Sequence, residues 1–288
     1  MKSEPIKDLR AAFHTEICQR LLTLNSTGIP SNADGGQDTS VAIAKHIASA
    51  LGASRGKKLA PQTAGAVFEG AVTNFTKNVF SRLGHLRPAD LDIKAISARK
   101  QLVIGGYEQY SHLIEVQKIA KEHPELAVFI GNDYTVASDV VVSRIPLPDR
   151  ELEKGGLTLD NQFARHTPLR EQNNQTPIMH ATISCKWTIR SDRAQNSRFE
   201  ALNLLRSRKG RVPHIVVVTG EPTPTRLASL ALGTGDIDCV YHFALNELID
   251  AVDALTSKNA GQNKKLLSNM VEGNRLRDIS DLPFDLAL

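Results

Sequence analysis

Leu9, Phe13, Ile17, Leu21 and Leu22 recur near helical spacing, so residues 7–25 predict an amphipathic helix. The same period returns over residues 40–52 and again from Pro61 to about Leu83. There Ala64, Phe68, Val72, Phe75 and Val79 make the apolar stripe, and Pro61 suits a first helical turn. Glu69 stands one step off that stripe, at the border between core and solvent. Between the first two helices, Asn25 to Thr39 is polar and Gly-rich, with Asn32, Asp34, Gly35, Gly36 and Gln37. Such a stretch reads first as a surface connection and second as a contacting arm. Residues 109–122 predict a further helix, ending before His123 and Pro124.

The period then shortens. Leu126 to Ile130 is a compact apolar strand, Gly131-Asn132-Asp133 signals a turn, and Ser138 to Val142 is the next strand, so a hairpin-like pair is expected. Residues 146–176 carry Pro, charge and Gln/Asn with little periodicity and read as a long excursion with one short helix. Ile178 to Ile189 is a strand. Asn196 to Arg208 is a helix capped by Asn196 or Ser197. His214 to Thr219 is a buried strand by its β-branched run. A short helix from Arg226 to Leu232, a strand from Cys239 to Phe243 and an amphipathic helix from Leu245 to Leu255 follow. Beyond Lys258 the chain is polar and weakly periodic, an arm or interface segment. Helices alternating with short buried strands argue for an α/β fold with a mixed central sheet flanked by helices. The expected organisation is a single domain over residues 1–288, with an inserted loop at about 146–176 and a C-terminal arm at about 258–288.

Composition narrows the class of partner more than the fold. The chain has 288 residues, 41% of them apolar, and a formal charge of +4. Mild basicity is compatible with a nucleic-acid partner, although a local patch matters more than the total. Three widely spaced cysteines, Cys18, Cys185 and Cys239, imply no disulfide framework and fit a reducing cytoplasm. Cys239 and His242 have C-x-x-H spacing, but no second ligand pair stands nearby, so a buried strand cysteine is the better reading. The nine histidines show no convergent pattern. No run approaches the length of a membrane-spanning helix, and Met1 to Pro5 lacks an apolar signal-peptide core.

The densest chemistry lies in Ser184-Cys185-Lys186-Trp187-Thr188-Ile189-Arg190-Ser191-Asp192-Arg193. On a strand, alternate residues share a face, so Ser184, Lys186 and Thr188 point one way and Cys185, Trp187 and Ile189 the other. The apolar set seeks a core, which leaves Lys186 aimed at whatever lies above the sheet. Arg190, Asp192 and Arg193 come next. An arginine fork matches guanine O6 and N7, and an acid accepts from cytosine N4. A lysine suited to phosphate chemistry beside groups suited to G·C pairs points to an enzyme that cuts DNA. Phosphodiester hydrolysis needs carboxylates to hold Mg²⁺ and a cation to offset developing charge. Asp139 opens one strand, Lys186 sits on another, and Glu200 follows on the next helix, so the three can converge on one phosphate.

Ser138-Asp139, Ser184-Cys185-Lys186 and Glu200 together resemble a permuted PD-(D/E)XK nuclease motif. Ser184 stands where the usual carboxylate would be, and Glu200 stands where one branch displaces it. That branch is the NgoMIV-like type IIF restriction endonucleases, and the likeness extends over most of the chain. One departure from the superfamily is Ser138, where a proline is usual. The resemblance implies that Asp139 is the central metal ligand, helped by the backbone carbonyl of Cys185, that Glu200 completes the site and that Glu69 tunes it. It further implies that Lys186 activates or orients the attacking water and that Ser184 is a bystander. Arg190, Asp192 and Arg193 would read an inner CCGG from the major groove, and Gln62 would contact the minor groove. Arg226 would read the outer pair, with Asp34 as a second candidate. Two Mg²⁺ per site, a GCCGGC target, a dimer of dimers and a cognate methyltransferase follow from the same likeness.

Taken singly, each feature has a commoner reading. A strand-edge lysine is usually solvated, an Arg-x-Asp-Arg run is usually a surface ion-pair network, and a helix glutamate usually faces water. Order and spacing together favour the nuclease. Two alternatives remain: a DNA-binding protein on a nuclease-like fold, and a repair or recombination nuclease that recognises structure.

Overall fold

The computed structural model describes residues 5–86, 91–95, 102–123, 125, 135–136, 139–233, 235–257 and 259–288. Three helices come first: α1 (Ile6–Arg20), α2 (Asp38–Ala50) and α3 (Pro61–Phe80). They bury the stripes read from the sequence. Phe13 and Ile17 face inward from α1, Ile43 and Ile47 from α2, and Phe68, Val72, Phe75 and Val79 from α3. Strands β1 (Leu91–Ala95) and β2 (Leu102–Val103) follow, then helix α4 (His112–Glu122) and strands β3 (Thr135–Val136) and β4 (Val140–Arg144). A one-turn helix α5 (Asp149–Leu152) precedes β5 (Ile178–Lys186) and helix α6 (Ser191–Ser207). Strand β6 (His214–Thr219), helix α7 (Pro224–Ala231), strand β7 (Cys239–His242) and helix α8 (Leu245–Asp253) complete the alternating part. The chain closes with helix α9 (Ala260–Glu272), strand β8 (Leu276–Asp278) and helix α10 (Leu282–Asp285).

The main sheet has six strands in the order β1-β4-β5-β6-β7-β8. Its first two pairings are antiparallel and the other three parallel, so the sheet is mixed, as the alternation of elements implied. Its central strands are continuous apolar runs because helices cover them. Val140–Val142 on β4 and Val216–Val218 on β6 are all buried. Helix α3 packs across β1 and β5, and α1 packs on α3. Trp187, just past β5, is core: its ring centroid lies 5.1 Å from that of Phe68 and 5.3 Å from that of Phe243.

Several expectations change. The Ile178 to Ile189 strand stops at Lys186, and the next helix begins at Ser191, with Arg190 rather than Asn196 or Ser197 as its cap. Small and acidic residues are welcome at a helix N-terminus, so Ser191 and Asp192 extend the helix. The Arg190–Arg193 cluster is therefore a strand-to-helix corner and a first helical turn. Of the expected hairpin, 126–130 and the turn at 131–133 lie outside the described residues; the described partners of β4 are β1 and β5.

The segment after Lys258 is not an arm. It forms α9, the edge strand β8 and α10, with Leu267, Met270, Leu276, Ile279, Leu282 and Leu286 buried. Its buried acid, Asp278, is paired inside the fold. Arg10 of α1 grips Asp278 of β8 through Nε (2.9 Å) and Nη2 (2.8 Å), and the same guanidinium takes Glu247 of α8 at 2.9 and 2.7 Å. The 146–176 excursion does hold one short helix. It is wound around Arg170, which is 1% exposed. That guanidinium bonds both Asp149 oxygens (2.9 and 2.6 Å) and the carbonyls of Asp160, Phe163 and Ala164.

Candidate active site

Asp139 immediately precedes β4, Lys186 ends β5, Glu200 is on α6 and Glu69 is on α3. Antiparallel pairing of β4 with β5, which sets Val140 opposite Ile183, carries Asp139 to the C-terminal end of β5. There Asp139 Oδ2 accepts from the Cys185 amide at 2.6 Å and from Lys186 Nζ at 3.0 Å. The Cys185 amide is thus bonded to the aspartate. Ser184 shares the Lys186 face and meets α6: its Oγ lies 3.4 Å from Ser197 Oγ. Residues three apart lie on one helix face, so this contact presents Glu200 to Lys186. The four groups line one cavity of about 750 Å³, together with Cys185, Arg190, Asn196 and, at the entry to α3, Lys57 to Pro61 with Ala64 and Gly65.

Acidic charge is crowded around Lys186 in this cavity. Burial pushes the Glu69 carboxyl up to about 7, and the charge of Asp139 adds to the push while Lys186 opposes it. Burial likewise lifts Glu200 to about 7, against the pull of Lys186 and with the help of Asp139. For Lys186, burial favours the neutral amine, but the charges of Asp139 and Glu200 outweigh it and hold the ammonium above its ordinary range. Three carboxylates thus crowd Lys186 in a poorly solvated space; Lys57, Lys58 and Arg190 also line the cavity, but Lys186 is the cation that acts on Glu69 and Glu200. A hard divalent cation is what such an oxygen donor set fits, since Mg²⁺ binds through one or two carboxylates, waters and substrate phosphate. Among the described residues no three His, Cys, Asp or Glu side chains form a ready-made metal cage. The Cys185 thiol is buried, and desolvation pushes it well above its normal range.

The remaining residues singled out in the sequence lie around the cavity mouth or apart from it. Arg190 is exposed and lines the cavity. The side chains of Asp192 and Arg193 lie outside the described residues; the backbone places both in the first turn of α6. Gln62 is exposed in the first turn of α3, next to the cavity-lining Pro61. Arg226 Nη2 is paired with Asp34 Oδ2, and this pairing holds the Asp34 carboxyl below its usual range, with the Gly36 amide contributing. The Gly-rich loop is more than a surface connection. Ser31, Asn32 and Ala33 are buried, and Asn32 Nδ2 donates to the Gly220 carbonyl at 2.8 Å.

Sequence reading passed over two features. Lys57 and Lys58 line the cavity from the α2–α3 connection, and no periodicity marked them. Glu221 is fully buried beyond β6, where an isolated acid after a β-branched run reads as an ordinary loop residue.

The profile of the NgoMIV restriction enzyme family matches residues 13–288. The type II restriction enzyme NgoMIV of Neisseria gonorrhoeae is 48% identical over 281 residues, covering 97% of each chain. A solved complex of restriction endonuclease PspGI with substrate DNA covers 98% of this chain and 92% of that one at 14% identity. Its TM-score is 0.31, too loose a likeness to bear on the geometry.

Proposed function

Because the chain belongs to the NgoMIV restriction enzyme family and is a type II site-specific deoxyribonuclease, we propose that it hydrolyses both strands of the palindrome GCCGGC in a Mg²⁺-dependent reaction. The observation that carries this reading is the cavity in which Asp139, Glu200 and Glu69 crowd around Lys186. Asp139 and Glu200 would hold the metal, two ions per site, with the Cys185 carbonyl assisting and Glu69 tuning the site from α3. When bound, Mg²⁺ supplies Lewis-acid polarisation of the scissile phosphate.

The chain's own residues do the rest. Lys186, held as ammonium by its acidic neighbours, offsets charge on the phosphate and orients the attacking water rather than taking its proton. Asp139 fixes that ammonium through its 3.0 Å hydrogen bond. Ser184 docks α6 through Ser197 so that Glu200 faces the phosphate. Arg190 at the corner, with Asp192 and Arg193 on the following turn, reads the inner G·C pairs in the major groove. Gln62 reaches the minor groove, and Arg226 with Asp34 serves the outer pair. Two-fold symmetric DNA calls for a two-fold symmetric protein. A dimer of dimers with a cognate methyltransferase as its counterpart completes the proposal.

The test is digestion of a plasmid carrying GCCGGC, in Mg²⁺ and in EDTA, beside a plasmid with that sequence mutated. Discrete Mg²⁺-dependent fragments from the first plasmid alone are expected. Fragments from both discard the target sequence and keep the chemistry. A gel shift without cleavage returns the reading to a binding-only protein.

A further inference from the structure

The end of β6 and the turn after it, Thr219-Gly220-Glu221-Pro222-Thr223, meet the Lys186 strand end, the Gly-rich loop, the Arg190 corner and Arg226. Thr219 Oγ1 donates to the Lys186 carbonyl at 2.7 Å, and the Gly220 carbonyl holds Asn32 of the Gly-rich loop at 2.8 Å. Glu221 sits at the centre with no exposed surface. Its Oε2 accepts from the Ile189 amide at 2.9 Å, one residue before Arg190. Its Oε1 accepts from the Thr223 amide at 3.1 Å, at the residue that caps α7. Arg226, on the first turn of α7, brings Nη1 to 3.8 Å from Glu221 Oε2 while its Nη2 pairs with Asp34. The His242 ring nitrogen bonds the Glu221 carbonyl at 3.2 Å and fixes the backbone there.

We infer that Glu221 is a positioning residue for sequence recognition, which couples the reader of the inner base pairs at Arg190 to the reader of the outer pair at Arg226 and Asp34. The inference rests on the DNA-reading roles proposed above. A buried carboxylate with two backbone donors and one guanidinium has one stable arrangement. The amide that starts the Arg190–Arg193 corner is therefore set relative to the guanidinium that holds Asp34. Glu221 itself is shut away from solvent, so its effect on DNA would pass through Arg190 and Arg226. Full burial of an acid is costly unless it is paired, so a site that keeps one there gains orientation from it.

The experiment measures single-turnover cleavage of three short duplexes in Mg²⁺ with enzyme in excess: GCCGGC, the same site with its outer pair replaced, and one with an inner pair replaced. Each gives a half-saturating enzyme concentration and a saturated rate constant. In Glu221→Gln the amide N–H faces a backbone N–H and the charge opposite Arg226 is gone. Preference for GCCGGC over both altered duplexes should fall about tenfold, the size of one lost charge-assisted hydrogen bond. The saturated rate constant should fall by less. Unchanged preference, with lower stability or a uniformly lower rate, overturns the inference and leaves Glu221 a structural acid.

Should Glu221→Gln not fold, the partly exposed Arg226 carries the test. Arg226→Ala must then weaken discrimination at the inner pair as well as the outer, and an effect confined to the outer pair overturns the coupling. A wild-type enzyme that treats the three duplexes alike instead removes the proposed target, a failure visible before any variant is made.

Discussion

Glu200→Gln should make the metal-free protein more stable while abolishing cleavage. Glu200 ionises near an ordinary 4.5 in the unfolded chain and at about 7 in the folded one, because burial disfavours its charge and Asp139 adds repulsion. Each pKa unit is worth about 1.4 kcal/mol, which sets a ceiling of roughly 3 kcal/mol on the strain at pH 8. Partial exposure and the Lys186 charge screen part of it, leaving about 1–2 kcal/mol to be released by the neutral amide. The sign follows from linkage. Between about 4.5 and 7 the folded state binds more protons than the unfolded one, so this group's contribution to stability falls as pH rises through that window and stays low above it.

Lys186 is not orphaned by the change, since Asp139 remains 3.0 Å away. Thermal unfolding in EDTA at pH 8 should place Glu200→Gln roughly 2–5 °C above wild type, and the gap should shrink towards pH 5, where wild-type Glu200 is protonated in the fold. Added Mg²⁺ at pH 8 should raise the wild-type melting temperature more than that of the variant. A variant that melts at or below wild type at both pH values, with no differential Mg²⁺ effect, would refute the view that Glu200 is a desolvated acid awaiting a cation.

Asp139→Asn should slow cleavage of cognate DNA by about 10³-fold or more while leaving duplex binding in a gel shift intact, because its oxygen holds both Lys186 and the Cys185 amide; equal loss of binding would contradict this. Gly220→Ala places a Cβ 2.4 Å from the Trp187 ring, so urea unfolding should show a loss of about 1–3 kcal/mol, and a neutral result would mean that the Trp187 packing is looser than its contacts with Phe68 and Phe243 indicate. Arg170→Ala removes the guanidinium that pairs Asp149 and leaves the Asp160 and Phe163 carbonyls without their donor, while Ala164 keeps Asn173, so limited proteolysis should nick 146–176 at least about tenfold faster than wild type, with an unchanged digestion pattern counting against a loop built on that side chain.

The helical stripes of α1 to α3 and the β-branched runs of β4 and β6 were legible in the sequence, because apolar periodicity reports directly which face is buried. The order of Asp139, Ser184-Cys185-Lys186 and Glu200 marked the candidate chemistry, and its resemblance to a known nuclease motif marked the family. What local pattern could not determine was anything whose partner is distant. Strand β8 is three residues long and polar apart from Leu276; it is a strand because β7 offers an open edge and Arg10, far back in α1, neutralises Asp278. The early start of α6 at Ser191 likewise went unread, since Arg190 is an unusual cap. Glu221 is the clearest case. By sequence it is one acid in a Pro-rich turn, and its meaning comes from the Ile189 amide, Arg226 and Asp34, brought together only when parallel pairing of β5 with β6 aligns their C-terminal ends. Periodicity encodes burial, and so the elements could be read from the chain alone. Charge compensation in a low-dielectric interior depends on three-dimensional neighbours, and only the tertiary structure decided those.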